Sequence, residues 1–166
     1  MQSFYELIDL IKNILNDSSY VNKVTFGDIT EVDLGKLTNF PLSHITVDQV
    51  RIMESTFEFE LRLICCDVVD VVKADVVSDD EYYGNNNMQD ILNTQLTVVT
   101  EMANALMRMD ILDTNYTRLD EGVIAVPFLD RFENELAGWE VTVVIRKKNE
   151  GSTSSNGFTD LNTGCE

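Results

Sequence analysis

The sequence is poor in the residue types on which most enzymatic chemistry depends. Its 166 residues include one histidine, His44, and three cysteines. Cys65 and Cys66 are adjacent and Cys165 stands apart, so no pair has the spacing of a zinc site. Any Ser-His-Asp or Cys-His arrangement would depend on His44 alone. We therefore expect no catalytic residues, no metal site and no cofactor, and we expect His44 to have a structural or packing role.

Basic residues are also scarce. Twelve Lys and Arg stand against 29 Asp and Glu, which gives a formal net charge of −17 at pH 7. A surface this acidic repels nucleic acid and anionic membranes, which argues against sequence-specific DNA binding. No apolar run reaches the roughly 18 residues of a membrane span, and no basic leader precedes an apolar stretch. We expect neither a transmembrane segment nor a signal peptide.

Apolar residues at spacings of three and four predict two helices. The first begins at a capping box, Ser3 with Glu6, and ends at residues 16–19. The second spans residues 88–109, and Leu96 belongs to its predicted apolar stripe. Its other face is polar but carries few charges, which is compatible with cover by a neighbouring subunit; an ordinary solvated surface is the alternative. The interface candidates on that face are Thr94, Thr97 and Asn104.

Five short segments have the pattern of strands, namely 24–26, 42–53, 56–65, 122–126 and 139–146. The clearest, 56–65, alternates apolar and charged residues, which predicts an antiparallel sheet with one covered face. We expect the fourth to end at Pro127, which lacks an amide hydrogen, and Trp139 to be mostly buried against the helices. The element order predicts an α+β protein, with an antiparallel β-sheet and two α-helices packed on one face.

One domain, residues 1–148, is followed by a polar C-terminal arm, residues 149–166. The arm has only Phe158 and Leu161 to bury, too little apolar surface to fold by itself. We predict that it is extended and held by other chains.

The segment 79–87 is strongly acidic and should project from the domain as a hairpin tip or loop. Its charges cannot be buried unpaired, and its tyrosines suit a contact surface. We expect it to serve as a contact surface; an idle surface loop is the alternative. The candidates here are Asp79, Asp80, Glu81, Tyr82 and Tyr83.

This element order, together with a few local phrases, resembles the tail-terminator and tail-completion proteins of tailed bacteriophages. The phrases are Val24-Thr25-Phe26-Gly27-Asp28, then Phe40-Pro41-Leu42 with His44-Ile45, and Pro127-Phe128 through Phe132 to Leu136-Ala137-Gly138-Trp139. The resemblance covers residues 1–147, and the acidic segment and the arm depart from it.

The resemblance implies a non-enzymatic virion component, assembled in the bacterial host cytoplasm. It implies a homo-oligomer, a six-fold or twelve-fold ring at the head–tail junction, with other neck, tail and portal-proximal proteins as partners. DNA would pass through the channel without specific binding, and no membrane is involved. The acidic segment 79–87 would then face the DNA channel or an adjacent ring. A cytoplasmic acidic adaptor or small-ligand-binding domain is the alternative, in which acidity would serve solubility.

Overall fold

A computed structural model describes residues 3–28, 39–70, 87–108, 116–117, 122–131 and 136–148. The acidic segment 79–86, Phe132 and the arm lie outside these ranges. In chain order the elements are α1 (Ser3–Asn16), β1 (Lys23–Phe26), β2 (Leu42–Ile52), β3 (Thr56–Val68), α2 (Met88–Met107), β4 (Tyr116–Thr117), β5 (Ile124–Arg131) and β6 (Leu136–Lys148).

The strands form one sheet in the order β1-β2-β3-β6. The far side of β6 pairs with β5 along its first half and with β4 near its end. Every pair is antiparallel except β1 with β2. A parallel pair needs a crossover of a dozen or more residues, which the connection between Phe26 and Leu42 provides. The predicted α+β class is confirmed, and the sheet is mixed.

Both helices pack on the same face of the sheet, as the sequence predicts. Each contributes a buried stripe, and the facing sheet side chains come from alternate positions of β3 and β6. The core includes Leu7, Ile11 and Leu15 of α1, Val98, Met102 and Leu106 of α2, and Leu61, Leu63, Val141 and Val143 of the sheet.

The alternation in 56–65 predicts that the opposite face of the sheet is charged. Only part of that face is charged. At one end it carries a second buried apolar cluster. Its members are Leu42, Ile64, Cys66, Phe128 and Leu136. The alternation misses this cluster because it draws on four separate strands.

Gly138 lies on β6 opposite Cys66 of β3. A Cβ atom built at this position would stand 2.0 Å from the carbonyl oxygen of Cys65 and 2.8 Å from the Cα of Cys66. Both neighbours are backbone atoms, so no side-chain movement could relieve the overlap. The close approach of the two strands therefore requires glycine at residue 138.

Trp139, the next residue, fixes α2 to the sheet. Its indole ring is half-buried on the helix-covered face, somewhat less enclosed than expected. Its Nε1–H donates a hydrogen bond to the carbonyl oxygen of Leu92 at 2.8 Å. The predicted phase of this strand is confirmed.

Three details of the elements differ from the prediction. Strand β5 does not end at Pro127 but runs to Arg131, because an edge strand tolerates a missing amide hydrogen on its outer side. Leu96 is exposed rather than part of the buried stripe of α2. The adjacent Gln95 is buried instead, and neither atom of its amide has a hydrogen-bond partner among the described residues.

Candidate interaction surfaces

Each edge of the sheet carries an exposed apolar surface, and the surface at the outer edge of β2 has the larger number of exposed side chains. Val50 and Ile52 are 42% and 71% exposed although their side chains lie on the helix-covered side of the sheet. Next to them in the register are Phe59 and Phe57, which are buried. Exposed aliphatic side chains beside a buried aromatic pair continue the core to the surface of the molecule.

A β-bulge explains why these residues face this way. The register of β2 against β3 shifts between Val47 and Gln49, and Asp48 is the additional residue. Side chains 43, 45 and 47 point toward the helices before the bulge, whereas side chains 50 and 52 do so after it. Strand β1 ends at Phe26, opposite Ile45, so no described strand pairs with the outer side of residues 47–52.

The start of α1 extends this surface. The ring of Phe4 stands 6.1 Å from that of Phe26 and 6.4 Å from that of Phe59, at the separations of interacting aromatic pairs. Tyr5 lies beside Phe4, at 6.0 Å, and is largely exposed. We refer to the exposed members of this surface as the β2-edge patch: Tyr5, Phe26, Val50 and Ile52.

A second exposed apolar surface lies on the opposite edge of the sheet. Ile124 is 74% exposed on β5, and Val126 and Leu129 are exposed on the same strand. The structure pairs β5 only with β6 among the described strands, so the outer side of β5 has no described partner. We call this the β5-edge patch: Ile124, Val126 and Leu129. One sheet therefore ends in an exposed apolar surface at each edge.

Between the two edges, the uncovered face of the sheet carries ordered charges. Glu58 of β3 pairs with Arg51 of β2 at 3.0 Å and with Arg146 of β6 at 2.8 Å. This row joins three strands in the sequence plus, minus, plus. Cross-strand pairs of opposite charge stabilise a sheet.

A second row has the inverse pattern. Arg62 of β3 binds Asp48 through two nitrogens, at 3.0 and 2.7 Å, and lies 3.7 Å from Glu140 of β6. The hydrogen bond from Arg146 lowers the pKa of Glu58, and the bond to Asp48 raises the pKa of Arg62. The extra residue of the bulge therefore supplies a carboxylate to a charge row.

The single histidine links β1 to β2. His44 Nε2 lies 3.1 Å from the carbonyl oxygen of Gly27, which can only accept, so Nε2 carries the proton. The other ring nitrogen, Nδ1, then accepts from the hydroxyl of Thr25 at 2.8 Å. The hydroxyl of Thr46 also donates to the Gly27 carbonyl, at 3.2 Å. Burial of the ring lowers the pKa of His44, which favours its neutral form.

Gly27 needs its residue type in this arrangement. Its φ angle of 136° lies in a region that other L-residues rarely adopt. Its amide donates to Ile45 while its carbonyl accepts two side-chain bonds, so β1 ends in a fixed position.

A cleft of about 390 Å³ opens where β1 ends and β2 continues past it. Its lining is mixed and includes one cation and one carboxylate. The lining residues are Phe26, Gly27, Asp28, Thr46, Val47, Arg62 and Ile64. Its volume is at the lower end of the range for small-molecule sites.

The predicted interface residues of α2 do not join either edge patch. Thr94 and Thr97 are half-buried and Asn104 is exposed. The hydroxyls of Thr97 and Thr100 donate back to the helix carbonyls of Asn93 and Leu96, which lowers the need for an outside partner. The remaining candidates, residues 79–83, Phe158 and Leu161, lie outside the described residues.

Neither a comparison with protein-family models nor a search of curated proteins finds a match to this chain. Within the described ranges, no helix is long and apolar enough to cross a membrane. The same ranges contain no group of three or more His, Cys, Asp or Glu placed to hold a metal ion.

The sequence did not point to either edge patch. In β2 the only available signal is the break in alternation around Asp48, which reads as a loose strand until the register is known. In β5 the exposure of Ile124 and Val126 follows from its place at the edge, because β6 is its only partner among the described strands. Both signals are local in the sequence, whereas the exposure of these side chains depends on how the strands pair.

Proposed function

We propose that this chain is a non-enzymatic structural protein of a tailed bacteriophage virion, forming a ring around the DNA channel at the head–tail junction or tail. The resemblance of residues 1–147 to tail-terminator and tail-completion proteins supplies the family. The two edge patches are the observation that supports assembly into a ring.

Opposite edges of one sheet suit a head-to-tail contact. In such a contact the β2-edge patch of one copy meets the β5-edge patch of the next, and each copy uses both surfaces once. A heterologous contact of this kind closes into a ring when its rotation divides a full turn. Joined edges also remove the unpaired strands that otherwise promote uncontrolled aggregation.

The charge of the chain supports the same proposal. A net charge of −17 gives a channel wall that DNA passes without adhering. His44, the only histidine, is held by two hydrogen bonds within β1 and β2, which supports a structural role for it.

The runner-up is an acidic adaptor or small-ligand-binding domain, and the cleft at the end of β1 is the observation that favours it. Arg62 there already binds Asp48 and Glu140, so it has less capacity for an anionic ligand. We rank this function second for that reason.

A phage that cannot make this protein tests the proposal. We expect its lysates to contain separate heads and tails, and expression of the chain in trans to restore joined particles. Labelled antibodies against the chain should mark the neck or tail end of purified virions by electron microscopy. Joined, infectious particles that lack the chain would contradict the proposal.

A further inference from the structure

The β2-edge patch leaves an unusual combination of features exposed on a single subunit. Four large apolar side chains lie beside a strand edge that pairs with no described strand. Contiguous apolar surfaces and long open edges are both unfavourable for a protein alone in water. A segment of the same chain placed nearby would cover them without the translational and rotational entropy cost of binding a separate chain.

The C-terminal arm begins beside this patch. Strand β6 ends at Lys148, whose register partner is Thr56, the first residue after the turn that follows Ile52. Two strand spacings, about 10 Å, separate β6 from β2. Nine residues separate Lys148 from Phe158, and a flexible linker of nine residues has in general a root-mean-square span of roughly 15–18 Å. A linker whose span is close to the distance it must cross gives a local concentration in the millimolar range.

The arm also has suitable chemistry. Its two large apolar residues, Phe158 and Leu161, are three positions apart, so one helical turn places both on one side. It carries three acidic residues and no lysine or arginine. The exposed cations at this end of the sheet, Lys148 and Arg51, lie on its uncovered face, and Arg51 pairs with Glu58.

We propose that in the free subunit the C-terminal arm folds back over the β2-edge patch of its own chain, with Phe158 and Leu161 packing against Val50 and Ile52. The arm covers the patch until another chain takes its place. This contact needs no ring, so it stands or falls separately from the proposed function.

The native Cys165 allows a direct test in the full chain. Cys65 and Cys66 are buried, and burial raises the pKa of Cys65 to about 11, so a nitroxide reagent reacts selectively at Cys165 near neutral pH. We expect the label to reduce the amide peak intensities of residues 50–52 in the NMR spectrum of dilute protein. Ile124 and Val126 should keep theirs.

A double variant, Phe158→Ser with Leu161→Ser, should restore the intensities of residues 50–52. A matched pair, Thr159→Ser with Thr163→Ser, should leave the loss in place. A mixture of nitroxide-labelled chain without ¹⁵N and ¹⁵N chain without nitroxide distinguishes a contact within one copy from a contact between two copies. Loss of signal at residues 50–52 in that mixture would assign the arm to a neighbour and overturn the proposal, as would no loss at all or a loss that survives the double variant.

Discussion

Gly138 shows how a single residue sets the distance between two central strands. Because the carbonyl of Cys65 would overlap any Cβ atom at this position, β6 and β3 can approach only with glycine between them. The same contact brings Trp139 and Leu136 into their two separate clusters on the two faces of the sheet.

We predict that Gly138→Ala destabilises the chain by about 1–3 kcal/mol, because the strands must separate to admit the methyl group. Urea unfolding followed by Trp139 fluorescence measures the change. Gly122→Ala is the matched control, since no atom lies within 4 Å of its added Cβ, and it should change stability by less than about 0.5 kcal/mol. Equal stability of the two variants would show that β3 and β6 are not this close.

His44 gives a second prediction at the residue scale. An ordinary histidine has a pKa of 6.5, and burial lowers that of His44. As the pH falls below 6.5, the unfolded chain therefore binds a proton that the folded chain resists. The free energy of unfolding should be fully retained above pH 6.5 and should decrease as the pH falls through the folded pKa.

His44→Gln tests the assignment, because the chain has no other histidine. We expect the variant to lose the decrease in stability that the wild type shows below pH 6.5, while unfolding curves at pH 7.5 report the cost of the lost bonds. The nearest charged group to take into account is Asp28, whose carboxylate opposes the lowering. A wild-type stability that does not change over this interval would contradict the buried, neutral ring.

At the scale of elements, a hydrogen bond from Trp139 fastens α2 to the sheet within an apolar interface. Trp139→Phe keeps an aromatic ring but removes the donor to the Leu92 carbonyl. We predict a loss of about 0.5–1.5 kcal/mol in the free energy of unfolding. Tyr20→Phe, in an exposed turn, serves as the control and should be neutral. A Trp139→Phe variant as stable as the wild type would mean that water replaces the bond at no cost.

Local patterns predicted the elements whose structure depends on local spacing. The stripes of α1 and α2 and the alternation of β3 each repeat over ten or more residues, so their type and buried face follow from the sequence. The burial of Gln95 does not follow from the sequence, because a polar glutamine side chain is expected to be exposed. Nothing in the structure explains its buried amide.

The pairing of strands could not be predicted in the same way. The parallel register of β1 on β2, the bulge at Asp48 and the continuation of β5 past Pro127 each depend on how a strand pairs with its partner, which the pattern within one strand does not show. Both edge patches result from these pairings. The candidate site was therefore missed for the same reason that the mixed sheet was.

At the scale of the whole molecule, the sheet is a structure with two unequal ends. One edge presents β2 with Val50 and Ile52, and the other presents β5 with Ile124 and Val126. A head-to-tail ring would bury both, whereas a two-fold dimer would bury one and leave the other exposed. The proposed function therefore depends on ring formation.

Two single variants separate this contact from its alternatives. We expect Ile52→Asp and Ile124→Asp each to prevent ring formation without unfolding the subunit, because each places a charge in one half of the contact. Tyr20→Asp, an exposed aromatic residue outside both patches, should assemble normally. If Leu96→Asp prevents assembly while both patch variants assemble, the contact uses the polar face of α2 with Thr94, Thr97 and Asn104 instead.

The native mass of the purified chain shows directly whether it forms a closed ring. It should be measured over a range of concentrations, alone and with the neck and tail proteins of the same virion. A closed ring predicts a discrete species of six or twelve times the monomer mass, with no continuous series of intermediate sizes, and its loss in Ile52→Asp and Ile124→Asp. A monomer at every concentration, with and without those proteins, would contradict it.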